Sequence, residues 1–309
     1  MAGQLVWLEN QVVEEPFLRN LFRDLPLQDG AGDADVIIYS GIQREPKTEL
    51  LDFLQGEARS SRVLFHLSDE KLRHRNRIYS QFDLVVRNYF DPRLAWRKNV
   101  VFFPLGWTDA FGGDVVPLDA PKTYLWSFCG AEKVSREKLV DAFSSLAGGF
   151  LHLTSGWNSD DQLAPTEVKN VYSESTFVLC PAGNAHFDTF RIMEALQAGA
   201  IPVVVKFLGR DFAKYTFGEH PFLVANSWHD AATLIQKASA SPSQLQEWQV
   251  SVRAWYLAYV AGLEEKVRQI LLSPNSAEAK RPLTSQSQRA RFDLALILAV
   301  TQRFGRYRR

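Results

Sequence analysis

The strongest constraint on the fold of this chain is the regular alternation of short apolar runs with longer amphipathic segments. Such runs are typical of strands buried in a parallel sheet, and here they form two series. The first series covers residues 5–8, 36–39, 63–66, 84–86 and 100–103. The second covers residues 124–128, 150–153, 177–180, 201–205 and 222–224. Because helical patterns separate the runs, for example at 136–146 and 189–198, the sequence predicts an α/β fold.

A stretch rich in Gly, Pro and Asp at residues 112–121 separates the two series. The chain length of 309 residues also favours two domains, at about 150 residues per domain. We therefore predict Rossmann-like domains over residues 1–115 and 116–272, with parallel sheets that face each other across a cleft. A long helix begins at Pro242, and residues 273–309 are predicted to form a linker, a last helix and a basic tail.

The overall charge is balanced, because 35 Lys and Arg residues offset 35 Asp and Glu residues. Proteins that bind nucleic acid usually carry a basic excess, so this composition argues against a nucleic-acid partner. The two cysteines and six histidines have no metal-ligand spacing, which predicts that no metal is bound. The chain lacks the apolar run of a membrane span and the basic segment of a signal peptide, which predicts a cytoplasmic protein. The oligomeric state stays open.

The stretch that carries chemistry is residues 175–205, which predicts a strand, a turn-rich loop, a helix and a second strand. Pro181 and Gly183 end the first strand, and Asp188 or Thr189 is a natural N-cap for the helix. Gly199 is a natural residue to follow the last helical turn. The free N–H groups and partial positive charge at the start of this helix suit an anion such as a diphosphate.

Arg191 and Glu194 are three residues apart, so they share one face beside the start of the helix. Arg191 offers a planar bidentate donor for phosphate, and Glu194 is placed to accept hydrogen bonds from ribose hydroxyls. The alternative is an ordinary Arg–Glu pair on a helix surface. His186, in the preceding loop, either contacts phosphate or is simply exposed to solvent.

This stretch resembles the exostosin family of glycosyltransferases, whose pattern is S-x-F-x-L-x-P-x-G, a gap, and S/T-x-R-x-x-E-A-x-x-x-G-x-I-P-V. The matching residues are Ser175, Phe177, Leu179, Pro181, Gly183, Thr189, Arg191, Glu194, Ala195, Gly199, Ile201, Pro202 and Val203. Upstream, the aromatic strand that ends at Gly130, followed by Ser135 and Arg136, is similar to the same family. Residues 66–70, 87–89 and 103–106 resemble the N-terminal half of short, ribitol-xylosyltransferase-like relatives. The resemblance covers about residues 63–205.

The resemblance implies a GT-B architecture, with a nucleotide-sugar donor in the C-terminal domain and a glycan or glycoconjugate acceptor in the N-terminal domain. Such enzymes typically invert the anomeric carbon, need no metal and use no cofactor besides the donor, for which UDP-sugars are favoured. The chain lacks the second transferase domain of the large animal members, which argues against polymerising activity. The implied donor-binding residues are Arg191, Glu194, Thr189, Gly183, Pro181, Gly130, Arg136, Arg87 and His186.

Inversion in one displacement needs a general base near the acceptor hydroxyl. Asp69 and Glu70 follow the strand at 63–66, at a sheet edge where open α/β sheets bind ligands, and Asp69 is slightly favoured as the base. The alternative is that Ser68 or Asp69 caps the next helix and that both carboxylates pair with Lys71 and Arg73. His66 is a second candidate, although a histidine inside a strand is more often a core residue. Arg87 is expected to face the same cleft.

Two other functions stay open beside the inverting transferase. A retaining GT-B enzyme would also use a glutamate in the donor helix, but Ile201 and Pro202 stand where its second glutamate would be expected. A non-catalytic protein that binds nucleotide or carbohydrate would need no base. The acidic pair Asp33 and Asp35 precedes a strand, so we interpret it as a turn rather than as the metal-binding motif of GT-A enzymes.

Overall fold

The first sheet consists of five parallel strands that follow one another in chain order. The computed structural model describes residues 4–8, 12–25, 34–56, 61–94, 96–156, 159–183 and 186–285. The strands of the first sheet are β1 (Leu5–Trp7), β2 (Ala34–Ser40), β3 (Ser61–Leu67), β4 (Leu84–Arg87) and β5 (Val100–Phe102). Because all five run in one direction, their carboxyl ends lie at a single edge of the sheet.

The second sheet also has five parallel strands, but it is not built in chain order. Its strands are β6 (Tyr124–Ala131), β7 (Gly149–Thr154), β8 (Ser175–Leu179), β9 (Ile201–Val205) and β10 (Leu223–Ala225). The spatial order is β10-β9-β8-β6-β7, so the chain reverses its direction across the sheet between β6 and β8. The predicted α/β fold with two parallel sheets is therefore confirmed, strand by strand.

Helices and short 3₁₀ turns connect the strands. The α-helices are α1 (Glu15–Phe22), α2 (Thr48–Gln55), α3 (Glu137–Ser144), α4 (Pro165–Ser173), α5 (Phe190–Gln197), α6 (Ala213–Phe217), α7 (Trp228–Ser239), α8 (Pro242–Leu272) and α9 (Ala277–Lys280). The 3₁₀ helices are Asn76–Gln81, Pro92–Leu94, Asp109–Phe111 and Val134–Arg136. The helices predicted around 136–146, around 189–198 and from Pro242 are confirmed, whereas the predicted last helix and basic tail lie outside the described residues.

Alternating side chains of β2 fill two apolar clusters, one on each face of the first sheet. Val36 and Ile38 belong to the cluster that contains Phe17 of α1, while Ile37 belongs to the cluster that contains Leu50 of α2. Every residue of β2 is buried, as expected for a strand covered on both faces. The first of these clusters continues into the second sheet, so one apolar core joins both halves of the molecule.

The long helix α8 contacts both halves of the molecule. It packs against α5 and α7 beside the second sheet, and also against α1 and β2 of the first sheet. Tyr256 of α8 donates a hydrogen bond to Gln197 Oε1 at 2.7 Å, and Arg253 donates to the carbonyl of Val116 at 2.8 Å. The helix thus braces the connecting segment against both sheets, a role that its place in the sequence does not reveal.

The structure also bears on the membrane span, the acidic pair Asp33 and Asp35, and the metal site considered from the sequence. In the part of the chain that the structure describes, no helix combines the length and the apolar character that a membrane crossing requires. Asp35 lies inside β2 and is 2% exposed, while Asp33 lies outside the described residues. Within the described ranges, no cluster of three or more His, Cys, Asp or Glu side chains could hold a metal ion.

Candidate active site

A cavity of about 550 Å³ lies between the carboxyl ends of the two sheets. Sites for small ligands usually measure about 300–1,000 Å³, so the cavity has the size of a ligand site. The first sheet contributes Ser68, Glu70 and Tyr89, which follow β3 and β4. The second sheet contributes the end of β6 and the start of α5. These elements meet where the order of the second sheet reverses, which is where open α/β sheets bind their ligands.

Two guanidinium groups share one aromatic ring in this cavity. The Cζ atoms of Arg136 and Arg191 each lie 5.3 Å from the centroid of the Phe128 ring. Arg191, the second residue of α5, donates from Nε to the carbonyl of Cys129 at 3.0 Å and from Nη1 to Thr189 Oγ1 at 3.4 Å. Arg136 donates from Nη1 to the carbonyl of Ala131 at 2.5 Å. Backbone carbonyls at the end of β6 therefore hold both cations in place.

The crowding of positive charge at this point is costly. Burial and, to a smaller extent, the neighbouring Arg191 lower the pKa of Arg136 to about 10. Lys133 also lines the cavity, and burial together with Arg136 lowers its pKa. Three cations held together in a partly buried site repel one another, and a bound anion would relieve that repulsion. The arrangement is thus suited to a ligand that carries several negative charges.

The start of α5 adds its own positive end to the same part of the cavity. Thr189 is the N-cap residue in an extended conformation, yet its side chain does not cap the helix. Its hydroxyl accepts from Arg191 instead, so the first N–H groups of the helix are left beside the cavity. The helix ends as predicted, with Gly199 in the left-handed region at φ +80°.

Glu194 is buried one turn further along α5 and joins the helix to the segment that leaves the first sheet. Thr108 donates a hydrogen bond from Oγ1 to Glu194 Oε1 at 2.8 Å. Burial raises the pKa of Glu194, and the hydrogen bond from Thr108 opposes that rise. Since both residues line the cavity, Glu194 remains within reach of a ligand hydroxyl.

Towards the edge strand β7, the cavity becomes more apolar. Leu163, Pro165 and Val168 line this part together with Tyr172. Thr154, at the end of β7, donates to the carbonyl of Gly156 at 3.0 Å. The polar side chains of His152 and Gln162 also line this part, and an apolar slot beside polar groups can hold a flat heterocycle and hydrogen-bond its edge.

The two carboxylates predicted as bases occupy different environments. Glu70 lines the cavity, and its Oε1 lies 2.6 Å from the position that a Cβ atom on Gly183 would take. Asp69 is 2% exposed and lies outside the cavity lining. It accepts from Arg87 Nη2 at 2.8 Å and from the backbone N–H of Arg73 at 2.9 Å. Asp69 is therefore part of a buried ion pair, although its partner is the distant Arg87 rather than a neighbouring basic side chain, and no helix begins beside it within the described residues 61–94.

Four further predicted residues also lie outside the cavity lining: Arg87, His66, His186 and Pro181. Arg87 is fully buried beneath the strand ends, where it neutralises Asp69 and donates to Tyr79 Oη at 2.6 Å. His66 contacts the same Tyr79 hydroxyl, and burial holds its pKa well below the ordinary value. His186 is also buried, and its Nε2 lies 2.8 Å from the carbonyl of Phe90, to which it donates. The expected cleft-facing position of Arg87 is thus not what the structure shows, because a buried charge needs a partner.

The sequence of the second half matches a known family. The RXYLT1 C-terminal domain matches residues 112–274, which include Gly130, Arg136, Arg191 and Glu194. The chain belongs to this family. A comparison with curated protein sequences finds no match.

Solved structures that resemble this member of the RXYLT1 C-terminal domain family are glycosyltransferases. A variant of T4 phage BGT in complex with UDP-glucose has a TM-score of 0.52 at 12% identity, over 88% of this chain and 100% of that chain. T4 phage BGT in complex with UDP and Mn²⁺ has a TM-score of 0.50 at 13% identity, over 88% and 100% of the two chains. These similarities show the GT-B fold, and with the family they make the chain a glycosyltransferase.

Sequence reasoning missed several residues that line the cavity of this family member, above all Glu14, Thr108 and Lys133. Glu14 lies between β1 and α1, at the same sheet edge as Glu70. The rule that ligands bind at the carboxyl ends of parallel strands applies to the loop after β1 as much as to the loop after β3. Glu14 stands directly before a helix that begins with Glu15 and Pro16, so its place in the sequence could have indicated a residue of the cavity.

Gly130 allows Arg191 to approach the end of β6, and this contact supports a prediction. A Cβ atom at Gly130 would lie 2.2 Å from Arg191 Nη2, the far end of a flexible side chain. We expect Gly130→Ala to displace the guanidinium and to lower kcat/KM by about 10- to 100-fold, because small misplacements at a reacting centre are costly. Steady-state kinetics should be compared with Gly262→Ala in α8, where a Cβ meets nothing within 4 Å. Equal activity of the two variants would contradict this prediction.

Proposed function

We propose that this chain is an inverting, metal-independent glycosyltransferase that transfers a sugar from a UDP-sugar to a hydroxyl of a glycan or glycoconjugate. The observation that carries the proposal is the pair Arg136 and Arg191 over one phenylalanine ring, beside the open start of α5. The two guanidiniums repel each other when no ligand is bound, and a bound diphosphate would relieve that repulsion.

The proposed donor lies along the second sheet. Its diphosphate contacts Arg191, Arg136 and the N–H groups at the start of α5, while the nucleoside extends towards the apolar slot beside β7. Glu194 accepts from a ribose hydroxyl, in place of or beside Thr108. As the sugar leaves, negative charge grows on the diphosphate, and fixed cations stabilise that charge at the transition state. The protein itself supplies the positive charge that a metal ion provides in other transferases.

The proposed acceptor lies on the side of the first sheet, opposite the diphosphate. An in-line displacement needs the acceptor hydroxyl and the leaving group on opposite faces of the sugar, and a cavity between two sheets offers that arrangement. A carboxylate beside the acceptor removes its proton. Of the predicted bases Asp69 and Glu70, only Glu70 lines the cavity.

The family and the donor motif narrow the choice of substrate. The RXYLT1 C-terminal domain match favours the ribitol-xylosyltransferase-like branch, which makes UDP-xylose the first donor to test and ribitol the first acceptor group. Galactose, glucuronic acid and arabinose are the next sugars. The likeness of residues 175–203 to the exostosin pattern supports an inverting mechanism, whereas a retaining enzyme would need a second glutamate near Ile201 and Pro202.

A donor panel tests the proposal. The purified protein is incubated with UDP, GDP and their sugars, and the melting temperature is recorded with EDTA and with Mn²⁺. We expect UDP and one UDP-sugar to raise the melting temperature, and EDTA to leave both binding and transfer unchanged. The anomeric configuration of the product, measured by NMR, should be opposite to that of the donor.

Three outcomes of this panel would contradict separate parts of the proposal. No stabilisation by any nucleoside diphosphate would overturn the transferase assignment. Loss of transfer in EDTA with recovery in Mn²⁺ would overturn metal independence. A product with the anomeric configuration of the donor would favour the retaining alternative, while binding without any transfer would favour a non-catalytic binding protein.

A further inference from the structure

We propose that Glu14 is the general base of this transferase and takes the proton of the acceptor hydroxyl. The inference rests on the proposed function and goes beyond it, because it names a residue outside the family match and outside the predicted bases. Glu14 lies between β1 and α1, lines the cavity, and is only 2% exposed. Burying a carboxylate costs free energy, so a nearly buried carboxylate at the border of a ligand-sized cavity is a candidate for a functional role.

The position of Glu14 would suit a helix cap, but its side chain is used differently. Glu14 is the N-cap residue of α1, where an acidic side chain commonly accepts from the first helical turn. It makes no such bond, and the residue lines the cavity instead. There it accepts from Asn88 Nδ2 at 2.7 Å and from Ser68 Oγ at 3.2 Å. These donors orient the carboxylate of a residue that borders the cavity where an acceptor hydroxyl would lie.

The donors that hold Glu14 are themselves fixed. The backbone N–H of Ser68 donates to Asn88 Oδ1 at 3.1 Å, which directs the Asn88 Nδ2 group towards Glu14. Ser68 and Tyr89 both have positive φ angles, 66° and 58°, which non-glycine residues adopt only at a cost. Both residues follow strands of the first sheet and line the cavity. Ser68 and Asn88, which follow β3 and β4, therefore hold this carboxylate at the side of the first sheet.

The surroundings of Glu14 make it a stronger base than an exposed carboxylate. Burial raises its pKa above the ordinary value of 4.5, and the hydrogen bonds from its own backbone N–H, from Asn88 and from Ser68 only partly oppose this rise. A base is most effective when its pKa approaches the working pH. Tyr89 also faces Glu14, and burial holds the pKa of its phenol well above 10, so it remains protonated while Glu14 titrates.

The other acidic residues of the first sheet have different partners. Glu70 lies close enough to Lys133 and Arg136 to raise their pKa values against the larger effect of burial. Its charge thus acts on the cations that would hold the diphosphate. Asp69 forms a buried ion pair with Arg87. Glu14, held by uncharged Asn88 and Ser68, is the acidic residue placed to work on the acceptor.

The groups named above account for the proton, the new bond and the leaving group of the sugar transfer. The acceptor O–H proton passes to the carboxylate of Glu14, and the acceptor oxygen forms a bond to the anomeric carbon. The bond between that carbon and the diphosphate oxygen breaks, and its electron pair leaves with the diphosphate. Arg191 and Arg136 receive the charge of the leaving group, so neither a metal nor a redox partner enters the step.

The test is Glu14→Gln, assayed with UDP-xylose and the other UDP-sugars by release of UDP, with ribitol or water as acceptor. Gln keeps an oxygen for Asn88, and its amide can donate to the Ser68 hydroxyl. We expect kcat to fall by about 100-fold or more, the scale of general-base catalysis. The rise in melting temperature caused by UDP should stay as in wild type, because donor binding does not use Glu14.

A stability measurement separates a catalytic role from a structural one. Because folding raises the pKa of Glu14, the folded protein holds this proton to higher pH than the unfolded chain does. Wild-type stability therefore falls as the pH rises from 4.5 through the raised pKa, and stays lower above it. Glu14→Gln removes this loss, so its melting temperature relative to wild type should increase across the same range. Inactivation with equal or higher stability near neutral pH is the expected pattern.

Glu15→Gln is the matched control, because Glu15 is the next residue, pairs with Arg19 at 2.6 Å and does not line the cavity. It should keep wild-type kcat, and Glu14→Asp should keep more activity than Glu14→Gln. A Glu14→Gln variant with more than a tenth of wild-type kcat would overturn the role of Glu14 alone. If that variant fails to fold, the pH dependence of the wild-type kcat is the test. The role of Glu14 is also overturned if kcat does not fall with decreasing pH at pH values above 4.5. A wild type that transfers no sugar overturns the proposed function and this role together.

Discussion

Arg191→Met is expected to reduce kcat/KM for sugar transfer by about 100- to 1,000-fold, the usual effect of removing a group that stabilises transition-state charge. Arg191 is held at the cavity by Cys129 and Thr189, and it shares the ring of Phe128 with Arg136. The variant loses the guanidinium that we propose as a donor to the leaving diphosphate. Steady-state kinetics with the best UDP-sugar measure the loss.

The same substitution should leave the fold intact, which distinguishes it from a general loss of structure. With Arg191 gone, Arg136 no longer has a like charge beside it, and its pKa of about 10 should rise. We therefore expect a melting temperature equal to or above that of wild type. Arg191→Lys should recover only part of the activity, because a point charge cannot reproduce the fork of a guanidinium. Arg268→Met, at an exposed position on α8, is the control. Unchanged kinetics in Arg191→Met would contradict the proposal that the diphosphate binds at Arg191.

Asp69→Asn is expected to lower the free energy of unfolding by about 3–5 kcal/mol, the usual loss when one partner of a buried ion pair is removed. Asp69 and Arg87 are 2.8 Å apart, and their side chains are 2% and 1% exposed. The variant would turn an amide N–H₂ or an uncharged oxygen towards a guanidinium that has no route to water. Urea unfolding followed by circular dichroism measures the change.

A double-mutant cycle shows whether the loss comes from the pair. Arg87→Met should also destabilise the protein, whereas Asp69→Asn combined with Arg87→Met should recover part of the loss, because no uncompensated charge remains. At a temperature where Asp69→Asn is folded, its kcat should stay within about tenfold of wild type, far above that of Glu14→Gln. A folded Asp69→Asn with kcat as low as Glu14→Gln would restore Asp69 as the base. Small and additive stability changes would show that the pair contributes little.

The part of the cavity at the start of α5 could be predicted because its residues are close together in sequence. Thr189, Arg191 and Glu194 lie within two turns of α5, so helical spacing alone places them at one end of a helix. Gly199 and its positive φ follow from the same local rules. The strands could be predicted as well, because an apolar run flanked by turn residues is a local signal.

The part of the cavity beside the first sheet depended on contacts that are distant in sequence. Asp69 and Glu70 are neighbours in the chain, but one is buried against Arg87 and the other lines the cavity. Glu14 is brought to Ser68 and Asn88 across 54 and 74 positions of sequence. No local pattern shows which way a side chain turns at the end of a strand, because packing beneath the sheet decides it.

By itself, the sequence determined the number and direction of the strands, the helix α5 and the residues at its start, since hydrophobic period and turn chemistry act over short distances. Only the tertiary structure decided the strand order, the bracing of both sheets by α8, and the separation of Asp69 from Glu14. The reason is physical: the desolvation of a charge depends on every group that packs around it, and those groups come from all parts of the chain.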